Sequence, residues 1–479
     1  MIVTALLIIS VLSTFLFAQL KGEKAKIPLV ITHVSVIDTT GARLIRDTTV
    51  VIVDDRIKEI GTTGTVKAPK DAKRFDGSGK FLIPGLWDMH AHISYKEFLA
   101  LFIANGVTGI REMGGNPEEF VQLKEWRKEI ANGTLIGPRI FTAGVIVDGP
   151  RKIGRRNSLN VENAIEARQA VNNLKQHGAD FIKVYSMLPR ESYFAVAEQA
   201  KKQGLSFAGH VPASVTASEA SDAGQKSLEH LFGVFSACSK NADALHDEAN
   251  TAVAISGLSV FVGAEIRTEL KTLDTYDDKN AAALFARFVK NSTWQTPTLV
   301  GWQNLSATDE SYFLNDSRLK YIPSERKNSW KVQKAALLKG FDPEYFPERQ
   351  RLFEAQLRLI SAMHKAGVKL LAGTDTAGLY EYPGFSLHDE LALLVKAGLT
   401  PMDALRCATC NPAEYFGLLD SLGAVEKGKI ADLVLLDANP LEEISNTSKI
   451  AAVVLGGRLI PRSTLDEMLS GVETSVETK

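Results

Sequence analysis

Residues 27 to 82 alternate apolar and polar positions in short runs punctuated by turn residues: PLVITHVSVID, TTVVIVDDRIKEIG and KRFDGSGKFLIPG. This pattern predicts β-strands, and no long helical period interrupts it. The C-terminal part has the same texture in GKIADLVLLD and KIAAVVLGGRLI. Between these ends, apolar runs of strand length alternate with amphipathic helical segments such as ENAIEARQAVNNLKQHG and ESYFAVAEQAKKQG. That alternation predicts βα units and a parallel sheet. Eight strands follow in order: GLWDMHAH, VTGIREMG, RIFTAGVI, DFIKVYS, LSFAGHV, KSLEHL, TWQTPTLV and VKLLAGTD. Eight strands, each followed by a helix, predict an α/β fold of the closed (β/α)8 type, a TIM barrel. The spacing is short except between Leu231 and Trp294 and between Val300 and Val368, so helical insertions are expected at about 235–290 and 301–365. The second contains the polar and aromatic run WQNLSATDESYFLNDSRLKYIPSERKNSW, either a lid or a surface decoration. TPMDALRCATCNPAEYFGL reads as one helix, with Thr400 as N-cap and Pro401 in its first turn.

The N-terminus departs from this pattern. MIVTALLIISVLSTFLFAQ carries no charged side chain, and the first is Lys21. The run is short for a membrane span and suits a signal peptide over residues 1–18, cut after Ala18. Against it stand the missing basic n-region and Leu16 three residues before the cut, which favour an uncleaved anchor. Export, to a periplasm or the medium, is the expectation. Over 479 residues, 45% are hydrophobic and 23% charged, an ordinary globular balance. Lys+Arg number 55 and Asp+Glu 56, so no global field recruits nucleic acid or an anionic membrane. The expected partner is a small-molecule substrate, with no nucleic acid, no membrane beyond such an anchor, and a homo-oligomer left open. Cys238, Cys407 and Cys410 are too few for a disulfide framework. The CATC pair places two thiols on one helix face, and no second CxxC or nearby His completes a metal site.

The nine histidines fall into two groups. His177 and His364 lie in the last turns of helices, where a donor serves the free carbonyls. His246 and His33 carry no assigned role. His90 and His92 close the first barrel strand, His210 the fifth and His230 the sixth, while Asp375 closes the eighth. Each sits at the carboxyl end of its strand, where such a barrel places its chemistry. One such histidine can be a satisfied core residue, but four with an aspartate on one rim point to divalent metal. The set is too large for one closed structural zinc and suits two ions. Lys183, in the middle of the apolar strand DFIKVYS, has two readings. Its stem can pack while its ammonium snorkels to water. Beside two dications, however, it cannot stay an ammonium. The neutral amine then captures carbon dioxide and becomes a carbamate that bridges both metals. Snorkelling survives only with a single ion.

This pattern resembles the amidohydrolase superfamily: HxH on strand one, Lys on strand four, His on strands five and six, Asp on strand eight. The lead-in KFLIPGLWDMHAH and the tail LGAVEKGKIADLVLLDANP are typical of it. GVTGIREMGG, GPRIFTAG, GADFIKVYS and AGTDT look most like its imidazolonepropionase-like and prolidase-like branch, which includes dipeptidases acting on C-terminal Pro, Arg or Lys. The resemblance implies a barrel over 83–417 and a small β-sandwich built from 27–82 and 418–465. It implies a binuclear hydrolase of amide or peptide C–N bonds, acting on a small substrate such as a dipeptide or N-acyl amino acid. His90, His92 and Asp375 hold one ion, His210 and His230 the other, with zinc as the default metal. Carbamylated Lys183 and a hydroxide bridge them, and Asp375 serves as general base and then acid. Arg111, Tyr185 and His388 are weaker candidates for substrate contact. The loop VIVDGPRKIGRRN departs from the expected Gly- and His-rich sequence, and its basic run of Arg151, Lys152, Arg155 and Arg156 reads as a solvated turn. Two rivals stand beside this reading. One is a mononuclear cyclic-amide hydrolase, as in the imidazolonepropionases, and the other is a non-catalytic secreted binding protein.

Overall fold

Alternation at both chain ends divides side chains between two faces of one sheet. In strand 433–436, Leu433 and Leu435 join a cluster with Ile31, Val34 and Ile52, while Val434 and Leu436 face the main core. The chain is seen here in a computed structural model describing residues 27–477, apart from 153, 154, 156, 257, 308–312 and 340–344. The signal-peptide segment lies outside the described residues. β1 (Leu29–Asp38), β2 (Arg43–Val53), β3 (Arg56–Thr62), β4 (Lys73–Asp76) and β5 (Phe81–Pro84) come from the N-terminal end. The two-residue turn Asp54–Asp55, with Asp54 at φ 56°, closes the β2–β3 hairpin.

β6 (Leu86–Ala91), β7 (Val107–Glu112) and β8 (Arg139–Thr142) form a parallel sheet. β9 (Val147–Asp148), β10 (Leu159–Asn160), β11 (Ile182–Val184), β12 (Phe207–Gly209), β13 (Ser227–Glu229) and β14 (Trp294–Thr296) form a second, in the order β10-β9-β11-β12-β13-β14. β15 (Leu433–Leu436), β16 (Ile450–Leu455) and β17 (Arg458–Pro461) return to the end sheet, whose order is β17-β16-β15-β5-β1-β2-β3 with β4 beside β1. Both long stretches expected as insertions are helical, with helices 242–256, 258–273 and 278–291 in one and 299–306, 324–339 and 345–365 in the other. No helix among the described residues is long and apolar enough to cross a membrane.

Two expected elements differ. VKLLAGTD forms no regular strand. It makes single parallel bridges, Gln295 with Leu370 and Ala91 with Thr376, and is bonded to both neighbours: Leu371 N–H donates to Gln295 O (2.9 Å) and Met89 N–H to Ala372 O (2.8 Å). The ladder stops because Gly373 passes so close to His90 that a Cβ would lie 2.8 Å from its backbone nitrogen, and because Asp375 turns left-handed at φ 61°. The segment around CATC is two helices, Pro401–Cys407 and Cys410–Tyr415, broken where Thr409 leaves helical backbone at φ −134° and ψ −87°. Thr400 does cap the first, accepting the Asp403 N–H.

Candidate metal centre

The site is built from strand ends. His90 belongs to β6 and His92 follows it, while Asp88, also in β6, ties this strand to the 368–376 segment. Its carboxylate accepts from His90 N–H (3.1 Å), Thr374 N–H (3.1 Å) and Thr374 Oγ1 (2.6 Å), fastening the 368–376 segment to β6. Lys183 lies within β11, His210 follows β12, His230 follows β13, and Asp375 ends the 368–376 segment. Three residues of the rim, His230 (φ 64°), Thr298 (φ 49°) and Asp375 (φ 61°), hold left-handed backbone that only the surrounding fold can impose. Such outliers cost about 1–3 kcal/mol each and cluster at functional sites.

Each of the four histidines is held through Nδ1. His90 Nδ1 lies 2.8 Å from Glu229 Oε2, and His92 Nδ1 lies 2.8 Å from Gly114 O. His210 Nδ1 lies 2.7 Å from Ser186 Oγ, and His230 Nδ1 lies 2.8 Å from Thr298 Oγ1. Each ring angle is therefore fixed from behind through Nδ1, the arrangement that presents Nε2 to a metal. His90 Nε2 is 3.3 Å from Asp375 Oδ1 and 3.5 Å from Lys183 Nζ, and His92 Nε2 is 3.2 Å from the same Asp375 oxygen. The His90 and His230 rings are 4.5 Å apart and those of His210 and His230 4.9 Å. His90, His230 and Asp375 each offer a ligand atom within 4.8 Å of the others, a His/Asp group able to hold a metal.

Electrostatics prepare these groups as ligands. Burial, and next the Lys183 charge, press His90 and His210 well below the usual imidazole range. Burial brings His230 down to about 3. Burial opposes ionisation of Asp375, yet His230, His92 and Lys183 together hold it at about 2. Neutral imidazoles and an ionised carboxylate are the forms a divalent cation takes. Lys183 is 1% exposed, and burial lowers it to about 8. Its amine ends among the histidines, not in bulk water, so the snorkelling geometry is absent.

A cavity of about 490 Å³ opens over this cluster. Tyr185 lines it, its ring 4.1 Å from that of His210. Arg155 lines it too, with its guanidinium 5.6 Å from the Tyr185 ring. The basic run is therefore not wholly a solvated turn. Arg151 and Lys152 are exposed, but the Arg155 N–H donates to the buried Asp148 carboxylate (2.5 Å), which turns this residue inward. The helical insertions contribute Arg326 and Leu305 to the wall.

Arg111 and His388 do not reach the cavity. Arg111 is completely buried, donating to Met89 O (2.5 Å), Ser227 Oγ (2.7 Å), Tyr415 Oη (2.9 Å) and both Glu229 oxygens (2.9 Å each). The same Glu229 holds His90, so Arg111 acts two bonds behind the site as a positioning residue. His388 Nδ1 pairs instead with Thr447 Oγ1 (2.9 Å). Arg111→Met is expected to destabilise the fold by about 3–5 kcal/mol, because Glu229 is left as a buried unpaired charge. Chemical denaturation reads this as a lowered midpoint. A substrate-binding arginine would change KM with the midpoint unmoved. Sequence reading missed Glu229, Ser186 and Thr298. The signal for Glu229 was its place beside His230 in SLEH, a carboxylate in a strand with no water to face.

The model of the amidohydrolase family matches residues 81–460. Ochratoxinase from Aspergillus niger is 22% identical over 485 residues, spanning 87% of this chain and 83% of its own. A Xaa-Pro dipeptidase structure with methionine in its active site superposes with a TM-score of 0.65 at 21% identity, covering 91% of this chain and 100% of that one. A bottromycin amidohydrolase structure gives 0.73 at 22% identity, covering 95% and 91%. At such identities the structural likeness establishes the fold, an α/β architecture with parallel strands.

Proposed function

Because the chain belongs to the amidohydrolase family, on its prolidase-like branch, we propose that it is a binuclear metal-dependent hydrolase of an amide or peptide bond in a small substrate. The same reading takes 83–417 as a closed (β/α)8 barrel and 27–82 with 418–465 as a composite β-sandwich. The observation that carries it is the set of four histidines, each fixed through Nδ1, that line one cavity with Lys183 and Asp375.

His90, His92 and Asp375 would hold one divalent ion and His210 and His230 the other, with the Lys183 carbamate shared. Bound there, the ions supply a water acidified to a pKa near ~7 and a Lewis acid for the scissile carbonyl. The rest falls to the chain. Asp375, ionised at neutral pH, accepts the proton of the attacking water and returns it to the leaving nitrogen. Glu229 and Arg111 keep His90 in register. Arg155 and Arg326 offer positive charge to a substrate carboxylate. A dipeptide or N-acyl amino acid fits a space of about 490 Å³.

One observation favours a mononuclear site: only His90, His230 and Asp375 bring ligand atoms within 4.8 Å of one another among the described residues. Elemental analysis of zinc-loaded protein, with hydrolysis of dipeptides, N-acyl amino acids and cyclic amides, decides the matter. Two ions per chain and cleavage of linear amides support the binuclear reading. One ion with cleavage of cyclic amides alone supports the other, and no metal uptake returns the binding protein. Export belongs to the same proposal. Mass spectrometry of secreted protein is expected to find Gln19 as the first residue, and an intact Met1 would assign the segment to an anchor.

A further inference from the structure

The cavity is lined by three further carboxyl groups that this chemistry does not use. Glu112 accepts from Thr142 Oγ1 (2.5 Å) and Glu119 from the Asn116 N–H (2.8 Å), which leaves Glu381. Glu381 is 4% exposed, lines the cavity with Asp375, and its Oε2 has no hydrogen-bond partner among the described residues. The backbone that carries this side chain is held in place. Thr376 Oγ1 donates to Glu381 O (2.9 Å), and Asn304 Nδ2 donates to Leu379 O (3.0 Å) and Tyr380 O (3.1 Å), tying the loop to the 299–306 helix. A Cβ on Gly378 would collide with Oε2, and one on Gly301 would come within 3.1 Å of Oε1. The backbone thus closes around this group from two elements.

A buried carboxyl with an open oxygen is costly unless something pairs with it. Burial, reinforced by Asp375, pushes Glu381 well above the usual carboxylate range. The partner that best offsets this is one that brings positive charge and N–H donors together. The anionic end of a ligand already has Arg155 and Arg326 in the same cavity. We propose that Glu381 is the subsite for a protonated primary amine of the substrate. The site would then select molecules bearing a free ammonium group, such as a dipeptide N-terminus, over N-acyl amino acids. This rests on the reading of the cavity as the place where a small amide is hydrolysed.

The test pairs alanyl dipeptides ending in Pro, Arg or Phe with their propionyl counterparts, which differ only in lacking the amine. Calorimetry on the zinc-loaded Asp375→Asn protein measures binding without turnover. At least one alanyl ligand is expected to bind roughly tenfold or more tightly than its partner, since a hydrogen-bonded charge contributes on that scale. Adding Glu381→Gln should erase the difference, and Glu381→Asp, which keeps a carboxyl group able to ionise against the ammonium, should retain part of it. A panel in which no alanyl ligand is preferred overturns the proposal whether or not the double variants fold, and so does a preference that survives Glu381→Gln. Wild-type protein that cleaves alanyl and propionyl substrates alike would keep amide hydrolysis and remove the amine subsite. An amine preference lost in Glu381→Gln, with no amide cleaved by wild type, would do the reverse.

Discussion

Asp375→Asn is expected to lower kcat by roughly 10²–10⁴-fold, the range of a general acid–base group, while leaving most of the bound metal in place. Asn matches Asp in shape and can still present an oxygen near His90 Nε2 and His92 Nε2, now 3.3 and 3.2 Å from Oδ1. Its backbone placement is independent of the side chain, since the Asp375 N–H donates to His90 O (2.7 Å). What it loses is charge and the ability to take a proton. His230, His92 and Lys183 hold Asp375 at about 2, so at neutral pH it is a base ready to act. The amide has no such form. The loss should fall on kcat and leave KM little changed, because the proton moves in the transition state. Steady-state kinetics with elemental analysis checks this. Near-normal turnover would remove Asp375 from proton transfer, and full metal loss would make it a ligand first.

How much of this could be read from sequence depends on distance along the chain. His90, His92, His210, His230 and Asp375 were legible because each closes an apolar run of strand length, and Lys183 because it is a lone amine inside such a run. The residues that aim them were not. Glu229 reaches His90 across 139 positions, and Thr298 reaches His230 across 68. No periodicity encodes such pairs. Arg111 shows the converse error. Its strand position points it inward, but only the fold reveals that Glu229, Ser227 and Tyr415 consume its donors. The eighth strand failed for a local reason. VKLL has strand composition, yet the close pass of Gly373 and the left-handed Asp375 break its ladder. Arg155 was misjudged with its neighbours because a charge run is usually solvated. The Asp148 carboxylate that turns it inward lies seven residues earlier, at the end of a two-residue strand too short to recognise. The apolar pattern therefore predicted an α/β chain with parallel strands, while second partners and cavity walls came from tertiary packing.

Lys183→Met should have an effect at least as large: loss of one or both ions and a fall in rate of roughly 10³-fold, the equivalent of several kcal/mol of transition-state stabilisation. Met keeps most of the apolar stem, so the 182–184 strand should stand, and an unchanged denaturation midpoint would separate chemistry from folding. Whether the lysine acts as a carbamate is a distinct point. Lys183 Nζ sits 3.5 Å from His90 Nε2 with 1% exposure, and its lowered value of about 8 leaves a substantial neutral fraction near physiological pH, unlike an ordinary lysine at 10.5. A neutral amine attacks carbon dioxide through its lone pair and releases a proton, giving an anion that, on the proposed binuclear reading, would join Asp375 in offsetting the charge of two ions. Chelated protein reloaded with zinc in carbon-dioxide-free buffer should therefore recover little activity, and added bicarbonate should restore it. With ¹³C-bicarbonate, a carbamate carbon resonance should appear in wild type and be missing in Lys183→Met. Recovery that ignores bicarbonate, together with one ion per chain, would leave a free amine at the centre of the site and move the chemistry to a single metal.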